Sequence, residues 1–395
     1  MKKSLFILFL SGLLSVSVSA REQILLEKWK FHFGEQADAV KKDYDDSLWE
    51  GVTVPHDWAI DKPFDMRIDM QSVQVLEDGD KVPKMRTGRT GALPAFGVGY
   101  YRTSIKSGKD MLGKRIRIEF DGAMSFSKVY INGEFVGEWP YGYSSFAFDI
   151  TDVWNFNGEN IVAVRLENKS ESSRWYPGAG IYRNVRLVVT EPVSVDHWGT
   201  YVTTPDVSEK KGKINLETRV VNKTGGAVKI RLESLLMDEK GNLITKTSST
   251  ENIKGDKCIF KQKLSVRNPE LWSVKNPYLY KVVSNVYVGD KLCDTYNTTM
   301  GFRSIKFDKD KGFFLNGENV KLKGVCLHHD LGPLGAAVNY RALERQLQIM
   351  QEMGCNAIRT SHNPPTPELL ELCDKMGFLV QVEAFDEWRI GKNHN

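Results

Sequence analysis

The chain has 395 residues, with 54 Lys and Arg against 50 Asp and Glu for a formal charge of +4, and it is 41% hydrophobic, 26% charged and 11% aromatic. This is ordinary globular composition, which excludes a disordered chain, a collagen-like repeat and a polytopic membrane protein. The near-neutral charge gives no reason to expect nucleic acid as a partner, and at roughly 100–200 residues per domain the length predicts two or three domains.

Residues 1–20 read as an export signal: Lys2 and Lys3, an apolar run from Leu5 to Leu14 broken by Ser11 and Gly12, and small residues ending Val18-Ser19-Ala20. The run is too short to span a bilayer, so cleavage after Ala20 and a periplasmic or secreted product free of the membrane are expected. The cysteines Cys258, Cys293, Cys326, Cys355 and Cys373 are few and odd in number for an exported chain, so they do not form a disulfide scaffold. Cys258 and Cys293 either pair within one domain or remain buried thiols.

From residue 21 to 191 the pattern is short strands punctuated by Gly, Asn and Asp. Gly99-Tyr100-Tyr101-Arg102, Lys114 to Phe120 and Ile161 to Leu166 alternate apolar and polar residues, and Val129-Tyr130-Ile131 and Phe135-Val136 flank Asn132-Gly133, a strong hairpin signal. This predicts an all-β sandwich or jelly roll. Its many aromatics, Trp29, Phe31, Phe33, Trp49, Trp58, Trp139, Trp154, Trp175 and Tyr176 among them, are mostly core fillers, with a minority free to stack on sugar rings. Residues 192–302 repeat the β pattern in about a hundred residues, as an immunoglobulin-like sandwich would, with nothing in them that looks like chemistry.

The pattern changes at 303–395. Phe313-Phe314-Leu315 and Val320-Lys321-Leu322 flank Asn316-Gly317, a second hairpin whose outgoing arm is expected to continue as a strand to Leu327. Leu343, Leu347, Met350 and Met353 fall at helical spacing before Gly354, and Cys355 to Arg359 is a short strand. Thr366-Pro367 opens a helix ending at Met376-Gly377, with Thr366 as its cap, and Phe378 to Val382 is a third strand. The order strand, helix, strand, helix, strand demands a parallel sheet, either a β/α barrel or a doubly wound sheet.

Ligands of such sheets sit at the carboxyl ends of the strands. There the sequence places His328-His329-Asp330, Arg359-Thr360-Ser361-His362-Asn363 and Glu383-Ala384-Phe385-Asp386-Glu387-Trp388. Their hydroxyl-pairing groups, with Trp388 as an apolar platform, suit a sugar. A metal site from His328, His362 and Glu387 is the weaker reading, because neighbours such as His328 and His329 point to opposite faces of a strand. Glu383 with Glu387 or Asp386 is also a poor glycosidase pair, since acids crowded on one strand end rarely flank a bond. These loops could equally do no more than satisfy their own backbones.

The stretches Gly324 to His328, Asn356-Ala357-Ile358-Arg359-Thr360-Ser361-His362-Asn363-Pro364 and Glu383-Ala384-Phe385-Asp386-Glu387-Trp388 resemble consecutive barrel segments of glycoside hydrolase family 2, which holds β-galactosidases, β-glucuronidases and β-mannosidases. Val54-Pro55-His56-Asp57-Trp58 and the run from Arg174 to Val185 resemble its sugar-binding jelly roll, so the resemblance covers nearly all of the chain after residue 20. It implies a jelly roll, an immunoglobulin-like sandwich and the first three β/α units of a TIM (β/α)8 barrel. The Glu-Ala-Phe-Asp-Glu-Trp ending is most like the β-galactosidases.

By the same resemblance, His328, Arg359 and His362 line the pocket that holds a terminal sugar of a β-galactoside-containing oligo- or polysaccharide, and Asn363, Asp386 and Trp388 at the same strand ends are further candidate sugar contacts. Hydrolysis needs no cofactor, though Glu387 falls where some members place a carboxylate ligand for magnesium, and large members assemble into homo-oligomers. The family's acid/base is the Glu of an Asn-Glu pair after the fourth strand and its nucleophile a Glu after the seventh. No Asn-Glu dipeptide occurs in these 395 residues, and 304–395 supply three strands where a whole barrel takes eight in about 250 residues. The 395-residue chain is therefore expected to have no catalytic residue and no turnover of its own. Its C-terminal third, an open parallel sheet, is expected to be poorly ordered or prone to aggregation after two stable β-domains. A carbohydrate-binding remnant, or one half of a split β-galactosidase or β-glucuronidase, are the alternatives.

Overall fold

The computed structural model describes residues 21–65, 72–75, 81–82, 84–87, 93, 96–169 and 175–386. The export signal expected at residues 1–20, together with Arg174, Glu387 and Trp388, lies outside them. Among the described residues no helix is long and apolar enough to cross a membrane.

The first unit is two antiparallel sheets. One orders Arg21–Leu25, Val185–Thr190, Arg115–Phe120 and Phe146–Asp149. The other orders Glu50–Thr53, Lys28–Phe33, Gly97–Lys106, Glu159–Asn168, Ser127–Ile131 and Glu134–Trp139. Trp29, Phe31, Trp58, Ile118, Phe120 and Val164 fill the space between them. The hairpin at Asn132-Gly133 forms as expected: Ile131 pairs Glu134, and both turn residues have positive φ, 53° and 89°, the mirror-image turn that matches strand twist. Arg115–Phe120 departs from its alternating pattern, being buried along its whole length. Asp196 and His197 of the second unit meet its polar face at Arg117 and Glu119, and its charges are neutralised in place: Arg117 Nε donates to Glu119 at 2.6 Å and Arg115 Nε to Asp149 at 2.7 Å.

The second unit is a seven-stranded sandwich with a three-stranded sheet (Val193–Ser208, Lys211–Asn222, Lys257–Arg267) and a four-stranded sheet (Leu243–Ile253, Val228–Met237, Tyr280–Val288, Lys291–Met300). Cys258 and Cys293 pack into the same apolar cluster as free thiols, so the disulfide alternative does not hold. Arg21 joins the first two units by reaching across to Asp294, with Nε and Nη2 at 2.9 and 2.7 Å.

The third unit begins with an antiparallel sheet of Ile305–Asp308, Gly312–Leu315 and Glu318–Asn319. The expected continuation from this hairpin to Leu327 does not occur. Asn356 intercepts the chain: its amide donates to Lys321 O at 3.0 Å, its Oδ1 accepts from Lys323 N at 2.8 Å, and its own N–H donates to Lys323 O. A new strand then starts at Gly324. Gly324–Leu327, Ala357–Thr360 and Leu379–Gln381 form a parallel three-stranded sheet, in which the second strand starts two residues late and runs on to Thr360 and the third loses a residue at each end of the expected run.

Helix Tyr340–Glu352 is capped by Asn339, whose side chain accepts from Ala342 N at 3.0 Å, and it buries Leu343, Leu347 and Met350. Met353, expected on the same face, is 68% exposed because the helix stops beneath it. Gly354 N and Cys355 N donate to Gln351 O and Met350 O, the double closure typical of a glycine stop. At helix Pro367–Met376 the Thr366 side chain makes no cap bond to a backbone N–H and is bound to Glu368 instead.

The C-terminal third is not left without support, because both β-units supply contacts that its own sequence does not reveal. Trp272 Nε1 of the second unit donates to Asp374 O at 2.8 Å. Arg183 of the first unit, 1% exposed, donates to Tyr143 O at 2.8 Å and to Pro364 O at 2.8 Å. Asp57, fully buried, accepts from Ala59 N and Ala179 N on Oδ1, both at 3.0 Å, and on Oδ2 from Tyr176 Oη at 2.6 Å and Ala336 N at 2.8 Å. Burial raises the Asp57 pKa, and the four donors pull against that rise. Gly178, at φ 66°, allows this approach, since a Cβ there would overlap that of Ala336.

Candidate functional site

The carboxyl ends of the three parallel strands carry a connected polar cluster. In register, Cys326, Arg359 and Gln381 lie side by side, which aims the Arg359 side chain along the sheet toward the turn after the third strand. There Arg359 Nε donates to Glu383 Oε1 at 2.7 Å, and Nη2 closes an ion pair with the same oxygen. The other carboxylate oxygen, Oε2, meets His362 Nδ1 at 2.6 Å. The side chains of Arg359, Glu383 and His362 remain 39%, 21% and 26% exposed, so the cluster is open to a ligand.

His328 stands beside this triplet, its ring 5.7 Å from that of His362 and edge-on to it. Partial burial, and then the neighbouring His362, hold the His328 pKa below the ordinary histidine value against the opposing carboxylates of Asp330 and Asp386. A neutral imidazole offers one donor and one acceptor, which is what a sugar hydroxyl requires. Trp175 comes in from the first unit, with its ring 5.7 Å from His328 and 5.5 Å from His362. Tyr141, on another loop of that unit, donates to Ala384 O at 2.6 Å. Two loops of the jelly roll thus wall a site whose floor is the barrel sheet.

His329 takes the opposite face, as alternation requires. It is sealed among Tyr143, Tyr182 and Pro177, with Nε2 2.9 Å from Pro177 O, and burial pushes its pKa down to about 3. Asn363 is 3% exposed, with Nδ2 donating to Pro364 O at 3.2 Å, and it borders a small cavity of about 30 Å³ rather than the open face. Asp386 is half-buried at the end of the described chain. Trp388, the expected platform, and Glu387, the expected magnesium ligand, lie outside the described residues. Among the described residues no group of three or more His, Cys, Asp or Glu comes together as a metal site.

Two residues at the centre of the cluster are missing from the sequence-derived set. Glu383 is visible in the sequence only as one acid in a run, and its role emerges from the parallel register that brings Arg359 and His362 to it. Trp175 is one aromatic among many, and nothing local distinguishes it from a core filler.

Three family models match the chain: the sugar binding domain of glycosyl hydrolases family 2 over residues 23–192, the glycosyl hydrolases family 2 domain over 194–303 and the family 2 TIM barrel domain over 307–389. The chain belongs to glycosyl hydrolase family 2. Its third unit is accordingly the first part of a TIM barrel, and the doubly wound alternative falls away.

Family 2 relatives match more than nine tenths of the chain. A β-galactosidase of Bacteroides ovatus is 46% identical over 363 residues, which make up 91% of this chain and 41% of that protein. A β-glucuronidase of Formosa agariphila is 31% identical over 388 residues, covering 91% of this chain and 38% of that protein. Among solved structures, a family 2 glycosyl hydrolase from Bacteroides cellulosilyticus superposes with a TM-score of 0.82 at 36% identity, covering 93% of this chain and 46% of that one. The chain spans less than half the length of each of these relatives.

Proposed function

We propose that this chain supplies the sugar-positioning part of an exported, retaining β-glycosidase of family 2 that acts on terminal β-D-galactosides. The observation that carries the reading is the Arg359–Glu383–His362 cluster, open at the strand ends and flanked by His328 and the Trp175 ring. It offers charged donors, a neutral imidazole and an aromatic face around one small volume, the set that hydroxyl-rich ligands need. The preference for galactose over glucuronate rests on the 46% identity to the B. ovatus β-galactosidase.

Retaining hydrolysis uses two carboxylates about 5 Å apart across the scissile bond, one attacking the anomeric carbon and one protonating the leaving oxygen. Glu383 is unsuited to either task, because Arg359 and His362 occupy both of its oxygens and hold its pKa down against the effect of burial. Its place in the reaction is to fix the two side chains that bind the sugar, while the attacking and protonating carboxylates come from other parts of the barrel. The 395-residue chain alone is expected to bind a β-galactoside without releasing nitrophenol from an aryl β-galactoside. Turnover by contaminant-free protein, or binding of glucuronate in preference to galactose, would overturn the reading.

A further inference from the structure

A second cleft, of about 650 Å³, opens where the jelly roll, the immunoglobulin-like sandwich and helix Pro367–Met376 meet. It lies on the strand Arg115–Phe120 side of the jelly roll, and none of its lining residues belongs to the cluster at the barrel strand ends. Its lining includes Arg21, Arg117 and Arg186 together with Glu119, Asp121 and Glu371, so donors and acceptors are balanced with no excess of either charge. The floor is held rigid. Arg117, Glu119 and Asp121 are 4%, 9% and 2% exposed, and Arg186 Nη1 donates to Asp121 at 2.6 Å. Burial disfavours the charge on Glu119, but His197 and Arg117 hold its pKa down at about 2.

Over this floor stands Trp198, presented in a way that packing alone does not account for. The pairing of Val193–Ser208 with its neighbour slips between Val195 and Thr200, and Trp198 within the slip has φ 47°, a conformation that costs a bulky residue energy. Gly199 makes room for the bulge, since a Cβ there would lie 2.8 Å from Asp196 O and 2.9 Å from Arg219 O. The indole Nε1 is fastened to Ser145 Oγ of the jelly roll at 3.0 Å, yet the side chain remains 54% exposed. A tryptophan serving as a strut between units would bury its ring. This one is anchored at its polar edge, with the His197 ring tilted 5.6 Å away, and more than half of it stays open to solvent.

We propose that this cleft is a second saccharide-binding site, separate from the barrel pocket, in which a sugar ring stacks on Trp198 and its hydroxyls pair with the accessible Arg186 and Glu371 side chains of the lining. Aromatic faces suit the apolar side of a pyranose, and a floor with balanced donors and acceptors suits hydroxyls better than it suits a phosphate or a sulfate. The site would hold a stretch of oligosaccharide remote from the sugar being cleaved. This goes beyond the proposed activity and stands without it.

The test is a titration of the full chain, labelled with 5-fluorotryptophan, with β-1,4-galactotetraose. The Trp198 fluorine resonance is assigned by its absence from Trp198→Asn, a residue that tolerates the left-handed backbone, or from Trp198→Phe if the asparagine variant does not fold. A saturable shift of that resonance that persists in Arg359→Ala is the expected result. No shift up to the solubility limit of the saccharide overturns the proposal, and so does a shift abolished by Arg359→Ala, which would place the sugar in the barrel pocket. Loss of binding in the barrel pocket with the Trp198 shift intact would count against the proposed activity and leave this site standing.

Discussion

Replacing Asp57 with asparagine tests whether one buried carboxylate joins the jelly roll to the barrel. In the favourable orientation the asparagine oxygen keeps the bonds from Ala59 N and Ala179 N, and its NH2 takes the place of Oδ2. Tyr176 can turn its hydroxyl to accept, but Ala336 N–H then faces a donor. Flipping the amide restores Ala336 and orphans two N–H groups instead, so the first orientation prevails. One buried unsatisfied donor costs about 1–3 kcal/mol, and losing the charge from the remaining bonds costs about 1 kcal/mol more. No longer burying a charge recovers part of this, for a net loss of about 2–3 kcal/mol. At about 2–4 °C per kcal/mol for a unit of this size, the first melting transition should fall by roughly 4–12 °C. Differential scanning calorimetry measures the shift, and limited proteolysis should show faster cutting near Ala336. A variant melting within 1 °C of the parent, cut at the same rate, would refute the argument.

Three further changes probe other parts of the molecule. Gly178→Ala places a Cβ on that of Ala336 at a left-handed φ of 66° and should destabilise by about 3 kcal/mol; adding Ala336→Gly should recover the clash and not the backbone cost, as thermal melts will show. Glu119, held at about 2 against an ordinary 4.5, stabilises the fold fully above pH 4.5 and loses that contribution as the pH falls toward 2, roughly 3 kcal/mol in all. The gap in melting temperature between parent and Glu119→Gln should therefore narrow between pH 6 and 3, and a constant gap would contradict the assignment. Glu383→Gln should weaken galactoside binding roughly tenfold, by releasing Arg359 and His362, with no change in melting temperature. Because the Glu383 pKa is lowered, parental affinity should hold down through the ordinary carboxylate value and fall only at lower pH, with no matching fall in the variant; equal affinities would remove Glu383 from the site.

The sequence made the layout legible where local chemistry decides structure. The Asn132-Gly133 and Asn316-Gly317 turns and the glycine stops at Gly354 and Gly377 all depend on residues within a few positions of one another. It failed where the deciding partner is distant. The strand expected through Leu322 is diverted by Asn356, 34 residues later in the numbering. The full burial of Arg115–Phe120 depends on a separate unit, and Thr366 turns to Glu368 instead of capping. At the site, His328, Arg359 and His362 could be found because strand ends are where side chains converge. Glu383 and Trp175 could not, because one is selected by parallel register and the other arrives from a different unit.

The four carbonyls that Arg183 reaches, of Asp121, Tyr143, Pro364 and Pro365, all belong to the main chain. Three of the four donors on Asp57 are main-chain N–H groups as well. Every residue type carries these groups, except that proline lacks the N–H, so the union of jelly roll and barrel makes few demands on the side chains it joins. The loop that follows His362 can therefore change its side chains without the two units losing their grip on each other. A chimera that grafts the barrel of one relative onto the jelly roll of another should assemble wherever Asp57, Arg183 and the small residues Gly178 and Ala336 are retained.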